Sequence, residues 1–379
     1  MIATRHDQTR SFFSSIEGLR GWLAVLVMIN HIGYASNLRP STLGYLTSLG
    51  GANAVRVFMI ISGFVIFHLL IEKPEPYPAY LIRRFMRLFP LFAISCIGGY
   101  FANLATVPAH VIGADTPFYV EARDIAGATE QWLEAHVLAH ATMLHGIISH
   151  DFLPWSEYAF NVPGWSISLE WQFYLVAPLM LLALRSPSVA IPLIIGIIVA
   201  HHATQQVWVY HQQSMLLDPI IYFSVGIVSR LIYPWLKNGV RQTTVPLTAI
   251  GLAAIFIRGP FVVWGLLYLG LIIHRDISNG FTKLYRLLLE SRLAGYLGSR
   301  SYSVYLCHYP IMLSYSALWA SWTNQIGTLT MMAFAVIPST LIVAEVLYRG
   351  IELPAIRLGG HLARMFSPTR MTLTKSVAS

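Results

Sequence analysis

Charge is scarce in this chain: Asp, Glu, Lys and Arg make up 11% of its 379 residues, where an average soluble domain carries about a quarter. That shortage, with 55% hydrophobic residues, excludes an ordinary water-soluble fold and implies a polytopic membrane protein. Cysteine is nearly missing. Cys96 and Cys307 stand alone in apolar stretches with no Cys-x-x-Cys or Cys/His spacing, which excludes a disulfide framework and a cysteine-based zinc site. There is no phosphate-cradling glycine loop, no Gly-x-Ser-x-Gly elbow and no His-Glu-x-x-His pair, so soluble-type nucleotidase, hydrolase and zincin chemistry fall away. Internal repeats and low-complexity segments are also absent. The net charge of +8 would suggest nucleic acid in a soluble protein, but here its distribution over loops is what carries information, and no nucleic-acid partner is expected.

What is present is a series of apolar runs of about 17 to 25 residues, the length of a membrane span. Ten are read: 17–35, 54–71, 86–105, 166–184, 188–205, 216–235, 243–258, 260–275, 300–320 and 328–349. The expected fold is therefore all-α, a polytopic bundle of about ten transmembrane helices over 17–354. A cytoplasmic segment precedes it at 1–16, and a partly disordered cytoplasmic tail follows at 355–379. The first run keeps Arg20 and His31 and lacks an A-x-A ending, so it reads as a retained helix and not a cleaved signal. Of the 25 basic residues, only Arg39, Arg56, Arg123 and Arg258 fall on the outer side of this arrangement. The positive-inside rule then places both termini in the cytoplasm, with an inner membrane as the location in the cell. A long outer segment, 106–165, carries a mixed-polarity stretch at 131–150, expected as an interfacial or re-entrant helix. His136 and His140 on it have the i, i+4 spacing of a metal pair, with His150 on roughly the same side. No acidic ligand supports them, and the plainer expectation is histidines at a wet interface with no metal.

Four blocks carry groups that are costly in a bilayer unless they have a task. In the first run Arg20 and His31 lie eleven residues apart, on one helix face about 16 Å from each other. Arg20 either snorkels to headgroups or binds, and His31 either rests against a neighbouring helix or reacts. Arg83, Arg84 and Arg87 open the third run at its inner end. The pair Arg84 and Arg87, at i, i+3, suits a phosphate or pyrophosphate approaching from the cytoplasm, against the reading of a plain positive-inside anchor. Ser166, Glu170 and Tyr174 share a stripe at the outer start of the fourth run. They form a cup for a sugar-like acceptor, or Glu170 is structural and pairs with Arg56 or His31. Ser301, Tyr305 and His308 enter the ninth run from the inside as one polar stripe, either helix-packing glue or a ligand contact, while Pro310 frees a carbonyl one turn back. Ser62 and Gly63 mark a place where two backbones can approach closely. A further pattern, His110 through Asp115, fits the His-x4-Asp of glycerolipid acyltransferases but has no supporting block.

Taken together the blocks resemble the acyltransferase-3 family of integral membrane O-acyltransferases. The matching stretches are Ile16 to Arg20 through His31, Val57 to Phe64, Arg83-Arg84-x-x-Arg87 through Pro90, Trp165 to Tyr174, Ser301 to Pro310 and Tyr348 to Pro354. Arg56 and Trp171 depart from the usual pattern near the outer mouth. The resemblance implies acyl transfer, most often acetyl, from cytoplasmic acyl-CoA to a hydroxyl of an extracytoplasmic glycan, lipid-linked sugar or small molecule in the cell envelope. Under it, Arg20 and His31 match the family's arginine and histidine of the first span, and Arg84 and Arg87 its Arg-x-x-Arg pair; taken with the polar stripes, Arg20, Arg84, Arg87, Tyr305 and His308 are expected to hold the donor, and His31 and Glu170 to be catalytic. Acyl-CoA is a co-substrate, no tightly bound cofactor is called for, and the partners are the donor, a carbohydrate or glycolipid acceptor and membrane lipid. The competing class is a transporter or flippase for a polar lipid or sugar, which intramembrane Arg, His and Glu also mark.

Overall fold

A computed structural model describes residues 5–36, 42–106, 117–206, 214–239, 259–273, 280–319 and 325–366. The expected span 243–258, Arg39, Arg258, Arg275, the His110/Asp115 pattern and the chain beyond 366 lie outside them. Apolar runs with no water available for backbone groups must bond internally, so they become helices. In chain order these are α1 (Arg5–Ala35), α2 (Thr42–Glu72), α3 (Tyr77–Thr106), α4 (Pro117–Gln131), α5 (Leu133–Ala141), α6 (Trp165–Ala183) and α7 (Pro187–Gln206). There follow α8 (Ile220–Gly239), α9 (Pro260–Ile273), α10 (Gly280–Leu289), α11 (Arg292–Ser299), α12 (Ser301–Trp319), α13 (Gln325–Leu347) and α14 (Leu353–Arg364), with a π turn, Tyr348–Glu352, before the last. Apart from 243–258, each expected span falls on a helix. Among the described residues four helical stretches are long and apolar enough to cross a membrane, Gly50–Glu72, Tyr77–Ala105, Val162–Ala183 and Met332–Arg364. Shorter apolar helices stand at Pro187–Ala203, Ile220–Leu236 and Pro260–Ile272. Helices α1 and α12 fall short because they carry the polar groups, Arg20, Asn30 and His31 on one and Ser301, Ser303 and His308 on the other.

Helix α2 runs through the core, with Ile60, Ile61, Phe64 and Phe67 buried. It crosses α8 at two glycines that face each other's partner backbone. A Cβ on Gly63 would strike the Phe223 carbonyl, and one on Gly226 the Ile60 carbonyl; this is the close approach expected near Ser62 and Gly63. Helix α1 lies between α2 and α12. Its near end is clasped by α10 and α11, where Gly18, Gly21 and Gly298 leave no room for a side chain. Between the expected spans 260–275 and 300–320 the chain thus forms two helices, and α11 is capped by Ser291, whose Oγ accepts from the Ala294 amide at 3.2 Å. Pro310 has no amide proton to give Leu306, and the freed carbonyl accepts instead from Asn161 Nδ2 at 3.0 Å.

The segment before α6 departs most from expectation. In place of one helix over 131–150 there is a short helix, α5, ending at Ala141, and then a run of turns that dips into the bundle. Its Phe160 carbonyl approaches Gly99 of α3, and Met143, Trp155 and Phe160 hold left-handed φ angles of 56°, 58° and 66°. One face of α6 fastens these turns. Ser168 Oγ accepts from the Gly146 amide at 3.1 Å, and Gln172 donates to the Ser214 carbonyl at 2.8 Å while accepting from the Leu216 amide at 2.9 Å. Ser214 in turn donates to Glu157. Such a connected, satisfied network specifies one arrangement.

The histidines of this segment are not at a wet interface. His136, His140 and His145 are buried, and the rings of His140 and His145 stack at 4.1 Å. His150 has left the helix and faces Glu157 at 3.7 Å. Among the described residues no group of His, Cys, Asp and Glu is arranged to hold a metal ion.

Candidate active site

The polar stripes meet at the end of the bundle that carries the arginine cluster. A cavity there is lined by Arg20 of α1, Phe58, Met59 and Ser62 of α2, Ser166 and Glu170 of α6, Phe223 of α8, and Ser301, Tyr302 and Tyr305 of α12. The groups expected at opposite mouths of the bundle thus share one chamber. The reason is the dipping segment: α6 starts inside the bundle, with Pro163 beside Tyr305 and Asn161 beside Leu306. Its next turns descend toward the arginines, so that Tyr77, the first residue of α3, donates to the Leu175 carbonyl at 2.9 Å. Glu170 accepts from Tyr174. The alternative of a structural Glu170 paired with Arg56 or His31 is not what the described residues show: Arg56 donates to Asn53 at 3.2 Å and lies over the Tyr222 ring, and His31 meets His308.

The three arginines of α3 have separate fates. Arg83 pairs with Glu75 at 2.8 Å, and Arg87 pairs with Glu352 of the π turn at 3.3 Å. Glu352, at 1% exposure, also accepts from Ser303 Oγ at 2.6 Å. Arg84 has no carboxylate partner among the described residues. Its guanidinium lies 5.8 Å from the ring centres of both Tyr80 and Tyr174, and its Nε is buried without an acceptor. Arg20 Nε is likewise buried without an acceptor, in the field of Glu170, Glu352 and Arg87. Arg84 and Arg87 thus differ in their surroundings, one beside two tyrosine rings and the other paired with a carboxylate. Arg84 also borders a second hollow at this end, lined by Lys73, Glu75, Tyr80 and Arg83. Two part-buried guanidinium groups, each with an Nε that lacks an acceptor, beside a basic mouth suit an anionic ligand with several charges.

From this chamber the α12 stripe leads along the bundle. Tyr305 hydroxyl meets Ser166 Oγ at 2.8 Å, and its ring lies 6.1 Å from that of His308. His308, wholly buried, meets His31 with Nε2 to Nδ1 at 2.9 Å, and the two rings stack at 5.1 Å. The edge of Tyr309 closes the cluster at 5.7 Å from His31. His31 is half-buried. The structure thus brings Arg20, Glu170 and Tyr305 together in the chamber and puts Arg84 on its flank. It sets His31 and His308 as a pair farther along α12, and His31 is not among the residues lining the chamber with Glu170. Sequence reasoning missed Glu352. It stood in the quoted Tyr348 to Pro354 block, an acid inside a matching stretch at the basic end of the bundle.

A sequence model of the acyltransferase-3 family, described as an acyltransferase domain, matches residues 13–349. Among characterised proteins, the chain is 24% identical to the peptidoglycan O-acetyltransferase OatA of Listeria monocytogenes, over 93% of this chain and 57% of that protein. It is also 24% identical to the acyltransferase MdmB of Streptomyces mycarofaciens, over 92% of each. The chain thus spans little more than half the length of the Listeria relative. No solved structure matches it.

Proposed function

Because the chain belongs to the acyltransferase-3 family and is an acyltransferase, we propose that it moves an acyl group, acetyl first of all, from cytoplasmic acyl-CoA to a hydroxyl of an extracytoplasmic glycan or lipid-linked sugar. The observation that carries the donor is the pair of buried guanidinium Nε atoms on Arg20 and Arg84 that find no acceptor beside the basic hollow. A coenzyme with several phosphates supplies that charge in the form guanidinium groups recognise best. Arg87 is already neutralised by Glu352 and serves by shaping the floor of the chamber. The acyl chain passes Tyr305 and Ser166 toward His31. There His31 takes the proton of the acceptor hydroxyl as the oxygen attacks the thioester carbonyl. The carbon–sulfur bond breaks, and the departing thiolate leaves with that proton, which returns the imidazole to its starting state. Glu170, at the donor end, orders Tyr174 and offsets the charge of Arg20 without touching the hydroxyl. The Listeria relative, a peptidoglycan O-acetyltransferase, supports both acetyl and a glycan acceptor. In this reading the termini face the cytoplasm with the arginine cluster.

Donor binding tests the reading. Purified protein should bind labelled acetyl-CoA, and Arg84→Ala should weaken that binding by about 10- to 100-fold, the worth of one or two charge-assisted hydrogen bonds. Equal binding by wild type and Arg84→Ala would remove the arginine from the donor site.

A further inference from the structure

The pairing of His31 with His308 fixes which nitrogen of His31 can react, and we propose that His308 is a positioning residue that holds His31 in the tautomer with Nε2 unprotonated. The inference rests on the reading of His31 as the group that takes the hydroxyl proton. It follows from counting donors and acceptors along α12. His308 Nδ1 lies 3.1 Å from the Val304 carbonyl one turn back on its own helix. A carbonyl only accepts, so the proton of neutral His308 sits on Nδ1 and its Nε2 carries the lone pair. That lone pair faces His31 Nδ1 at 2.9 Å, and two imidazole nitrogens at this distance share one proton. It comes from His31. With its Nδ1 proton committed to His308, neutral His31 must present a bare Nε2, the atom that accepts a proton or attacks a carbonyl.

Burial agrees with the order of the relay. His308 is fully buried and bonded at both nitrogens, while His31 is half-buried, so the inner ring orients and the outer ring meets substrate. The peptide carbonyl of Val304 takes the place that a carboxylate holds in the more familiar triads. Its helix supplies the rigidity: the accepting carbonyl and the imidazole it fixes are four residues apart on α12. When His31 accepts the hydroxyl proton, its Nδ1 proton can shift toward His308 Nε2, which spreads the charge over two rings while Val304 still accepts from the first.

Two measurements test this. In wild-type protein with nitrogen-15 histidine, reconstituted in nanodiscs, His31 is expected to show a protonated Nδ1 and an unprotonated Nε2; a protonated Nε2 on His31 overturns the proposal. In kinetics, His308→Phe removes the acceptor and should lower kcat by about 100-fold with KM for acetyl-CoA unchanged. His308→Gln puts a carbonyl oxygen near the lost Nε2 and should restore most of kcat. Wild-type kcat in His308→Phe, or equal losses in the two variants, contradicts it. If instead His31→Ala keeps full activity, the functional reading itself fails, and the nitrogen-15 spectrum still reports on the tautomer independently.

Discussion

Replacing His31 with alanine should abolish acyl transfer while leaving the donor bound. General acid–base groups contribute about 10²- to 10⁴-fold in rate, and His31 is the half-buried imidazole at the far end of the stripe that begins at Tyr305. The loss should appear in kcat, because the binding of acyl-CoA is assigned to Arg20 in the chamber and Arg84 in the neighbouring hollow, and His31 lines neither. A step through an acyl-histidine would be lost equally, so the variant tests the residue and not one route. The measurement is turnover with labelled acetyl-CoA, paired with equilibrium binding of the same donor. Turnover near wild type in His31→Ala rules out both routes. A parallel loss of turnover and binding would place His31 in the donor site.

Removing Glu352 should cost the fold more than any surface change. The carboxylate is 1% exposed, and it accepts from Arg87 and Ser303 at the π turn that joins α13 to α14. Glu352→Ala leaves Arg87, whose side chain is 28% exposed, without its carboxylate, and losing hydrogen bonds to a charged group costs about 1.5–3 kcal/mol. The thermal midpoint of purified protein should fall sharply. Glu352→Gln, which still accepts from Ser303, should fall less. The double variant Glu352→Gln with Arg87→Met should recover part of the loss, since two apolar or neutral groups of similar size replace an ion pair at little cost. If Glu352→Ala melts with wild type, the pair is not a support of the arginine end.

The helices were legible because each apolar run is long enough to demand internal hydrogen bonding, and punctuation such as Pro74 and Pro187 separates them. Local consequences were legible too: the carbonyl freed by Pro310 is there, and the Gly63 crossing is there. Depth was not. Hydropathy locates a residue relative to the ends of its own segment, so Glu170 read as lying at the outer mouth. The Ser168 and Gln172 bonds to turns 20 to 40 residues away, which start α6 inside the bundle, leave no periodic trace. Helix α14 shows the same limit. It continues past 354, the expected end of the bundle, and packs at Gly359 against Met86 of α3. The His31–His308 bond spans 277 residues, and no spacing rule reaches that far. The stripe on α12 gave the direction of His308, and its partner had to come from the fold.

The central claim is that acyl groups enter at the arginine end and leave on a hydroxyl beyond His31. The most direct test is transfer across a vesicle membrane by purified protein, with labelled acetyl-CoA on the side of the termini and a soluble glycan on the other. The account predicts labelled ester on the enclosed glycan with wild type, none with His31→Ala, and a reduced yield with Arg84→Ala at donor concentrations that do not saturate it. Label that reaches the glycan only when donor and glycan share a side, or uptake of glycan without any ester, would contradict it.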